Sequence, residues 1–134
     1  MAQYEHLPIY KKAMDLTIYI ENVVRGFSKY HKYTLGSDLR NLSRTVVRLI
    51  IRANSEKDRL ATLLQLRESI EELKICFRIC KEVKAFKNFN TFVHGVEEVI
   101  ALGKQNEGWI KSAAQAASKS KALSGRDLTT TIPS

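Results

Sequence analysis

The sequence predicts an all-α fold, an antiparallel up-down-up-down bundle of four helices. Four stretches of the 134-residue chain repeat apolar residues at spacings of three and four, the period of one helix face. Two prolines and six glycines are too few turn formers for a sandwich or barrel of this length. The breaks between the stretches are short, which favours antiparallel neighbours. A hydrophobic fraction of 44% over 134 residues fits one core and one domain rather than two.

The first helix is expected from about Pro8 to Ser28. Pro8 suits a first turn, where its missing N–H costs nothing. Ile9, Ala13, Leu16, Ile20, Val23 and Phe27 form one apolar stripe, and the run SKYHKYTLGS breaks it. The second helix is expected from about Ser37 to Asn54, with Ser37 or Asp38 capping its start. Its stripe is Leu35, Leu39, Leu42, Val46, Leu49 and Ala53. The third, from about Asp58 to Phe86, carries Leu63, Leu66, Ile70, Leu73, Phe77 and Cys80, with Ser55 or Asp58 as cap. Its first half holds Glu68, Glu71 and Glu72, and its second half Lys74, Arg78, Lys81, Lys84 and Lys87. That asymmetry complements the helix dipole and has a stability explanation of its own. The fourth, capped by Asn90 or Thr91, runs from Thr91 to about Ala117 with Phe92, Val96, Val99, Gly103, Asn106, Ile110, Ala113 and Ala117 on one face. Residues 1–117 therefore read as the bundle domain. Residues 118–134, polar and aperiodic, read as a disordered tail.

The chain has 22 Lys+Arg against 14 Asp+Glu, a net charge of +8. A charge of that sign concentrates phosphates and acidic protein surfaces around it. No signal peptide and no apolar run long enough to span a bilayer is read from the sequence. Two cysteines are too few for a disulfide framework, so a cytoplasmic protein with reduced thiols is expected, with no membrane association.

The clearest functional signal is on the second helix. Arg40, Arg44, Arg48 and Arg52 recur every four residues, and about 100° per residue makes them one slanted ridge. The leucine stripe falls on nearly the opposite side, so the ridge must point away from the core. Asp38 is the only acid on that helix. Like charges four apart cost about 0.2 to 0.5 kcal/mol per pair, and a merely solvated face would normally interleave glutamates. Arginine can grip a phosphate or carboxylate with two parallel hydrogen bonds. The ridge is read as a strip that receives phosphates or an acidic partner. Val47 and Ile51 fall beside the arginines and off the core stripe. Apolar groups placed there predict a surface buried against another subunit, the alternative being that a wide buried face covers them.

Other chemistry finds little support. Cys76 and Cys80 lie four apart with no histidine or further cysteine nearby, and read as small core side chains rather than metal ligands. His6, His31 and His94 are isolated. No glycine-rich phosphate loop, HExxH or di-iron Glu-x-x-His pair occurs. Neither an enzyme nor a cofactor or metal is expected. Tyr10, Tyr19, Tyr30, Tyr33, Phe86 and Phe89 could stack on unpaired bases, though such residues more often pack at bundle ends.

Three stretches taken together, LPIYKKAMDL in the first helix, LGSDLRNLSRTVVRLIIRAN across the second and VEEVIALGKQNEGWIKS in the fourth, resemble the accessory variability determinant (Avd) proteins of diversity-generating retroelements. These sit within a wider group of four-helix bundle proteins that includes one encoded in intervening sequences of 23S ribosomal RNA genes. The resemblance covers roughly residues 4 to 115. It implies a four-helix bundle assembling into a homopentameric ring with a basic surface. It implies a non-catalytic accessory that binds template RNA or cDNA and the retroelement's reverse transcriptase, supporting mutagenic retrohoming. On it, Arg40, Arg44, Arg48 and Arg52 would form the nucleic-acid or partner surface, with Lys74, Arg78 and Lys81 as candidates to extend it. The pair Gly108-Trp109 matches a recurring part of the group's pattern. Trp109 reads as a large packing anchor, and Gly108 as allowing a close helix approach. The modest charge and the acidic patch of the third helix leave open a protein-protein interaction scaffold whose arginines meet carboxylates, and a protein of the ribosomal intervening-sequence type is a further alternative.

Overall fold

A computed structural model describes the backbone of residues 3–131 and the side chains of residues 4–123. After a 3-10 turn, Gln3–His6, come α1 (Pro8–Arg25), the single-turn α2 (Lys29–Lys32), α3 (Leu35–Ser55), α4 (Leu60–Glu82) and α5 (Phe89–Thr131). The four long helices are the four read from the sequence. α1 and α4 each pack on both α3 and α5, so they occupy opposite corners of a square. The antiparallel register shows in side-chain pairs. Lys12 meets Glu98 while Tyr19 donates to the Thr91 carbonyl, so α1 and α5 run in opposite senses.

The apolar stripes meet along the axis. Leu16, Ile20, Leu39, Val46, Ile50, Leu63, Leu66, Leu73, Phe77, Val99 and Leu102 are almost wholly buried. Burial of each such side chain contributes about 1.5 to 3 kcal/mol. Cys76 and Cys80 belong to this core and are free thiols. The hydrogen bond between them and the burial of both hold the Cys80 thiol above its ordinary range, which keeps it protonated and inert. Asn106 is buried among apolar groups, where its amide donates to the Leu63 carbonyl at 3.2 Å.

Helix ends depart from the sequence expectations. α3 begins at Leu35 rather than Ser37, and Thr34 before it makes no side-chain cap. Asp38 sits in the first turn, where its charge favours the helix N-terminus without capping it. α4 begins at Leu60 without a side-chain cap from Ser55 or Asp58. At α5 the cap is Asn88, whose Oδ1 accepts from the Thr91 N–H at 2.9 Å and the Thr91 hydroxyl at 3.0 Å. α4 stops at Glu82, short of Phe86. Lys84 adopts a left-handed φ of 59°, the Ala85 N–H bonds the Cys80 carbonyl and the Lys84 N–H the Lys81 carbonyl. That is a Schellman ending with a lysine where glycine is usual. From residue 118, where a disordered tail is expected, the backbone of α5 is helical as far as Thr131. Ala113, Ala114, Ala116, Ala117, Lys119, Lys121, Ala122 and Leu123 are strong helix formers and need no apolar stripe to hold a helix. Residues 132–134 lie outside the described residues.

Two glycines mark close helix approaches, and they are not the one singled out from the sequence. A Cβ at Gly95 would lie 2.3 Å from Phe77 Cε1, and one at Gly36 2.6 Å from Val24 Cγ1. Gly108 is exposed, with nothing within 4 Å of a Cβ placed there. It permits no close approach. Trp109 does pack against the core, with the Arg59 guanidinium 5.6 Å from its ring centroid.

Gly108→Ala should therefore stabilise the protein by roughly 0.5 to 1 kcal/mol, since alanine is the better residue in an open helix interior. Gly95→Ala should destabilise it by about 1 to 3 kcal/mol, because the buried Phe77 ring cannot yield without disturbing its neighbours. Denaturant titration of both variants checks the opposite signs. A loss of stability in Gly108→Ala would show that the position carries a constraint absent from the fold described above.

Candidate nucleic-acid interface

Because α3 buries Leu39, Val46, Ile50 and Ala53, its arginines lie outward. Arg44, Arg48 and Arg52 are exposed, and Arg40 is half-buried near the start of the row. Their surroundings divide the row in two. Glu21, on the neighbouring α1, reaches Arg40 and Arg44 together: Oε2 lies 3.1 Å from the Arg40 Nε, and Oε1 accepts from an Arg44 terminal nitrogen at 2.6 Å. The Arg40 contact is an ion pair without hydrogen-bond geometry. Arg48 instead donates to the Thr45 hydroxyl at 3.0 Å. Neither Arg48 nor Arg52 meets a carboxylate among the described residues. Four guanidiniums against one shared carboxylate leave the row strongly cationic, and most so toward the C-terminus of α3.

Sequence reasoning missed Glu21. On α3 itself Asp38 stands alone as an acid, whereas the neutralising carboxylate comes across a helix interface. The available signal was the position of Glu21 on α1. It flanks the buried stripe of Ala13, Leu16, Ile20 and Val24 on the side where Met14 and Thr17 also sit.

The other candidates do not extend the row. Lys74 pairs with Glu71 at 3.0 Å and borders a groove between α4 and α5, with Arg67, Ile100, Lys104 and Glu107. Lys81 pairs with Glu82 at 3.1 Å and stands 5.3 Å over the Phe92 ring of α5. Arg78 is exposed. Lys74 and Lys81 stand on the α4–α5 side of the bundle, whereas Arg40 and Arg44 lean toward Glu21 of α1, so these side chains do not form one strip. In the α4–α5 groove Arg67 makes a two-pronged contact with Glu107, at 2.9 and 2.7 Å. The hydrogen bond from Arg67 lowers the Glu107 carboxyl below its ordinary range.

Val47 and Ile51 are both half-buried, and Val47 rests on the core. A wide buried face covers part of Val47, and both side chains keep a partly exposed surface beside the arginines. Exposed apolar side chains occur elsewhere, among them Ile75 and Ile79 on the outer face of α4, at 50% and 45% exposure. Among the described residues no three His, Cys, Asp or Glu side chains stand close enough to hold a metal ion. No helix there is long and apolar enough to cross a membrane.

The class that the fold defines is a four-helix bundle with a closed core, buried thiols and outward-facing cations. The comparison with protein families gives that class a more definite place. A family model described as bAvd-like matches residues 7–113, which take in α1, α3, α4 and α5 as far as Ala113. The chain belongs to this family, as the three stretches read from the sequence implied, and is thereby an accessory, non-catalytic protein of the retroelement kind. No curated protein matches the chain.

The shared carboxylate yields a prediction. Glu21→Gln should release Arg40 and Arg44, raise affinity for a polyanion and steepen its salt dependence, by about 0.9 in the log–log slope for each additional phosphate bound on duplex DNA. Heparin retention and DNA binding at several salt concentrations measure this. Unchanged retention and slope would mean that the row takes no part in anion binding.

Proposed function

We propose that the chain is a nucleic-acid-binding accessory subunit of a retroelement reverse transcriptase, holding template RNA or cDNA near the polymerase to support mutagenic retrohoming. The carrying observation is the arginine row on α3, whose Arg48 and Arg52 project from the bundle unmatched by carboxylates among the described residues. Family membership supports the retroelement setting. The mechanism is electrostatic: guanidiniums displace condensed counterions from phosphates and fix the strand's position without reading its sequence. Glu21 does not disable the row, because exposed ion pairs contribute only about 0 to 1 kcal/mol and exchange readily for a phosphate. The protein would work in the cytoplasm as a homopentameric ring, with the copies setting several rows around one assembly. The exposed Ile75 and Ile79 on α4 give such an assembly an apolar surface to cover, in addition to the half-buried Val47 and Ile51.

The same arginines could instead receive carboxylates of a protein partner, as they receive Glu21. Binding of labelled RNA from 50 to 200 mM salt separates the two readings, since several phosphate contacts cost orders of magnitude in affinity over that range. Arg48→Gln with Arg52→Gln should weaken RNA binding and lower the log–log slope by about 1.4 for single strands, at about 0.7 per phosphate. A flat salt response, or a double variant that binds RNA normally while losing the polymerase, would favour the protein scaffold. Sedimentation of the wild-type protein tests the ring. A gene neighbourhood with a reverse transcriptase and paired template and variable repeats supports the retroelement setting, whereas a ribosomal RNA operon points to the intervening-sequence type.

A further inference from the structure

The end of the bundle away from Trp109 is closed by two segments, residues 25–34, from the last residue of α1 to the start of α3, and residues 81–91, from the last two residues of α4 into the first turn of α5. They meet directly. A Cβ at Gly26 would lie 3.2 Å from Lys87 Cε, and the Phe27 ring stands edge-on to Phe86 at 5.6 Å. Phe86 in turn stacks on the buried Phe77 at 5.8 Å. The end is therefore anchored from within by aromatic contacts.

Its outer surface is unlike the rest of the molecule. These two segments hold Arg25, Lys29, Lys32, Lys81, Lys84 and Lys87 against the single acid Glu82, a net +5 of the chain's +8. Of the six cations, Lys81 alone is ion-paired among the described residues. The other acids bordering the end are Asp38, in the first turn of α3, and Glu21, already held by Arg40 and Arg44. All three exposed tyrosine and phenylalanine rings among the described residues lie here as well: Tyr30 at 80% exposure, Tyr33 at 68% and Phe89 at 64%. Tyr33 also helps to line a cleft of about 240 Å³ with Glu21, Val24, Arg25, Lys32 and Arg40.

Cations alone would fit any polyanion. Flat rings left open to water beside them select among polyanions. Unpaired bases present π faces that stack on tyrosine and phenylalanine, while their phosphates need nearby positive charge. Duplex bases are already stacked and cannot use the rings. We propose that this end of the bundle is a binding site for single-stranded nucleic acid, with bases stacked on Tyr30, Tyr33 and Phe89 and phosphates held by Arg25, Lys29, Lys32, Lys84 and Lys87. It shares its ligand class with the arginine row, but its location and its preference for single strands rest on the exposed rings.

The test compares binding of the full chain to a twelve-residue oligouridine and to a duplex of equal length, by fluorescence anisotropy at fixed salt. The wild type should prefer the single strand. Combined replacement of Tyr30, Tyr33 and Phe89 by leucine should abolish that preference, at about fivefold or more for each ring removed, and leave duplex binding unchanged. Tyr30→Phe with Tyr33→Phe should retain it. In Tyr33→Trp, oligouridine should quench the new emission, with distant Trp109 as constant background. Arg48→Gln with Arg52→Gln separates the two sites: it should weaken both ligands yet keep their ratio. Equal wild-type affinity for both ligands, or a leucine variant that binds oligouridine normally, would overturn the assignment. So would two other results: a change of oligomeric mass in that variant, which would make the rings subunit contacts, or equally ring-dependent binding to phosphatidylserine vesicles, which would make them lipid anchors.

Discussion

The rest of the structure depends on how α3 is oriented. Its core side, Leu39, Val46, Leu49, Ile50 and Ala53, packs against both α1 and α4. That arrangement leaves its arginines nowhere but the outside. Rotating α3 to bury the row would place guanidiniums in an apolar core, at a desolvation cost of several kcal/mol for each ion, and expose the leucines as well. The arginine surface is therefore a direct consequence of core formation. Its outward direction is as secure as the bundle itself.

The sequence made legible whatever depends on the period of a single helix. The four helices, most of their core stripes, the burial of Cys76 and Cys80 and the outward pitch of the arginines follow from 100° per residue, although on α1 it is Val24 and not the expected Val23 that is buried. What it hid depends on neighbours. Glu21 is unremarkable on α1 and becomes the partner of two arginines only because α1 packs beside α3. Lys74 and Lys81 look like an extension of the row in one dimension but stand over α5, on another side of the square. Gly108 carried a plausible reason for being small, whereas the tight crossings fell at Gly95 and Gly36. Nothing in a helical period tells which glycine faces a phenylalanine. Residues 118–131 form a helix through intrinsic propensity where no apolar period announces one.

Charge is distributed along the bundle rather than spread over it. The two segments closing one end carry a net +5, and the arginine row leads away from that end along α3. Glu68, Glu71 and Glu72 lie on α4, at the opposite corner from α1. A modest overall charge can therefore produce a strong local potential, because positive groups are concentrated where apolar and aromatic contacts hold the backbone in place. At physiological ionic strength the screening length is about 8 Å, so these local groupings outweigh the total of +8 in deciding where an anion settles.

The two positive regions are joined at Arg40. That residue opens the row on α3 and also lines the cleft with Tyr33, Lys32 and Arg25, while Glu21 stands between them. From Arg40 to Arg52 the row spans twelve residues, or about 18 Å along the helix at 1.5 Å per residue. A strand stacked on the end of the bundle would be directed along α3 by successive guanidiniums. Glu21 sits where such a strand would turn from ring stacking to phosphate contact. Its half-buried carboxylate, shared between Arg40 and Arg44, competes with an arriving phosphate and must give way to it, at the small cost of an ion pair near the surface, about 0 to 1 kcal/mol. The carboxylate that partly neutralises the row therefore also borders the cleft, between Arg40, which lines it, and Arg44, which does not.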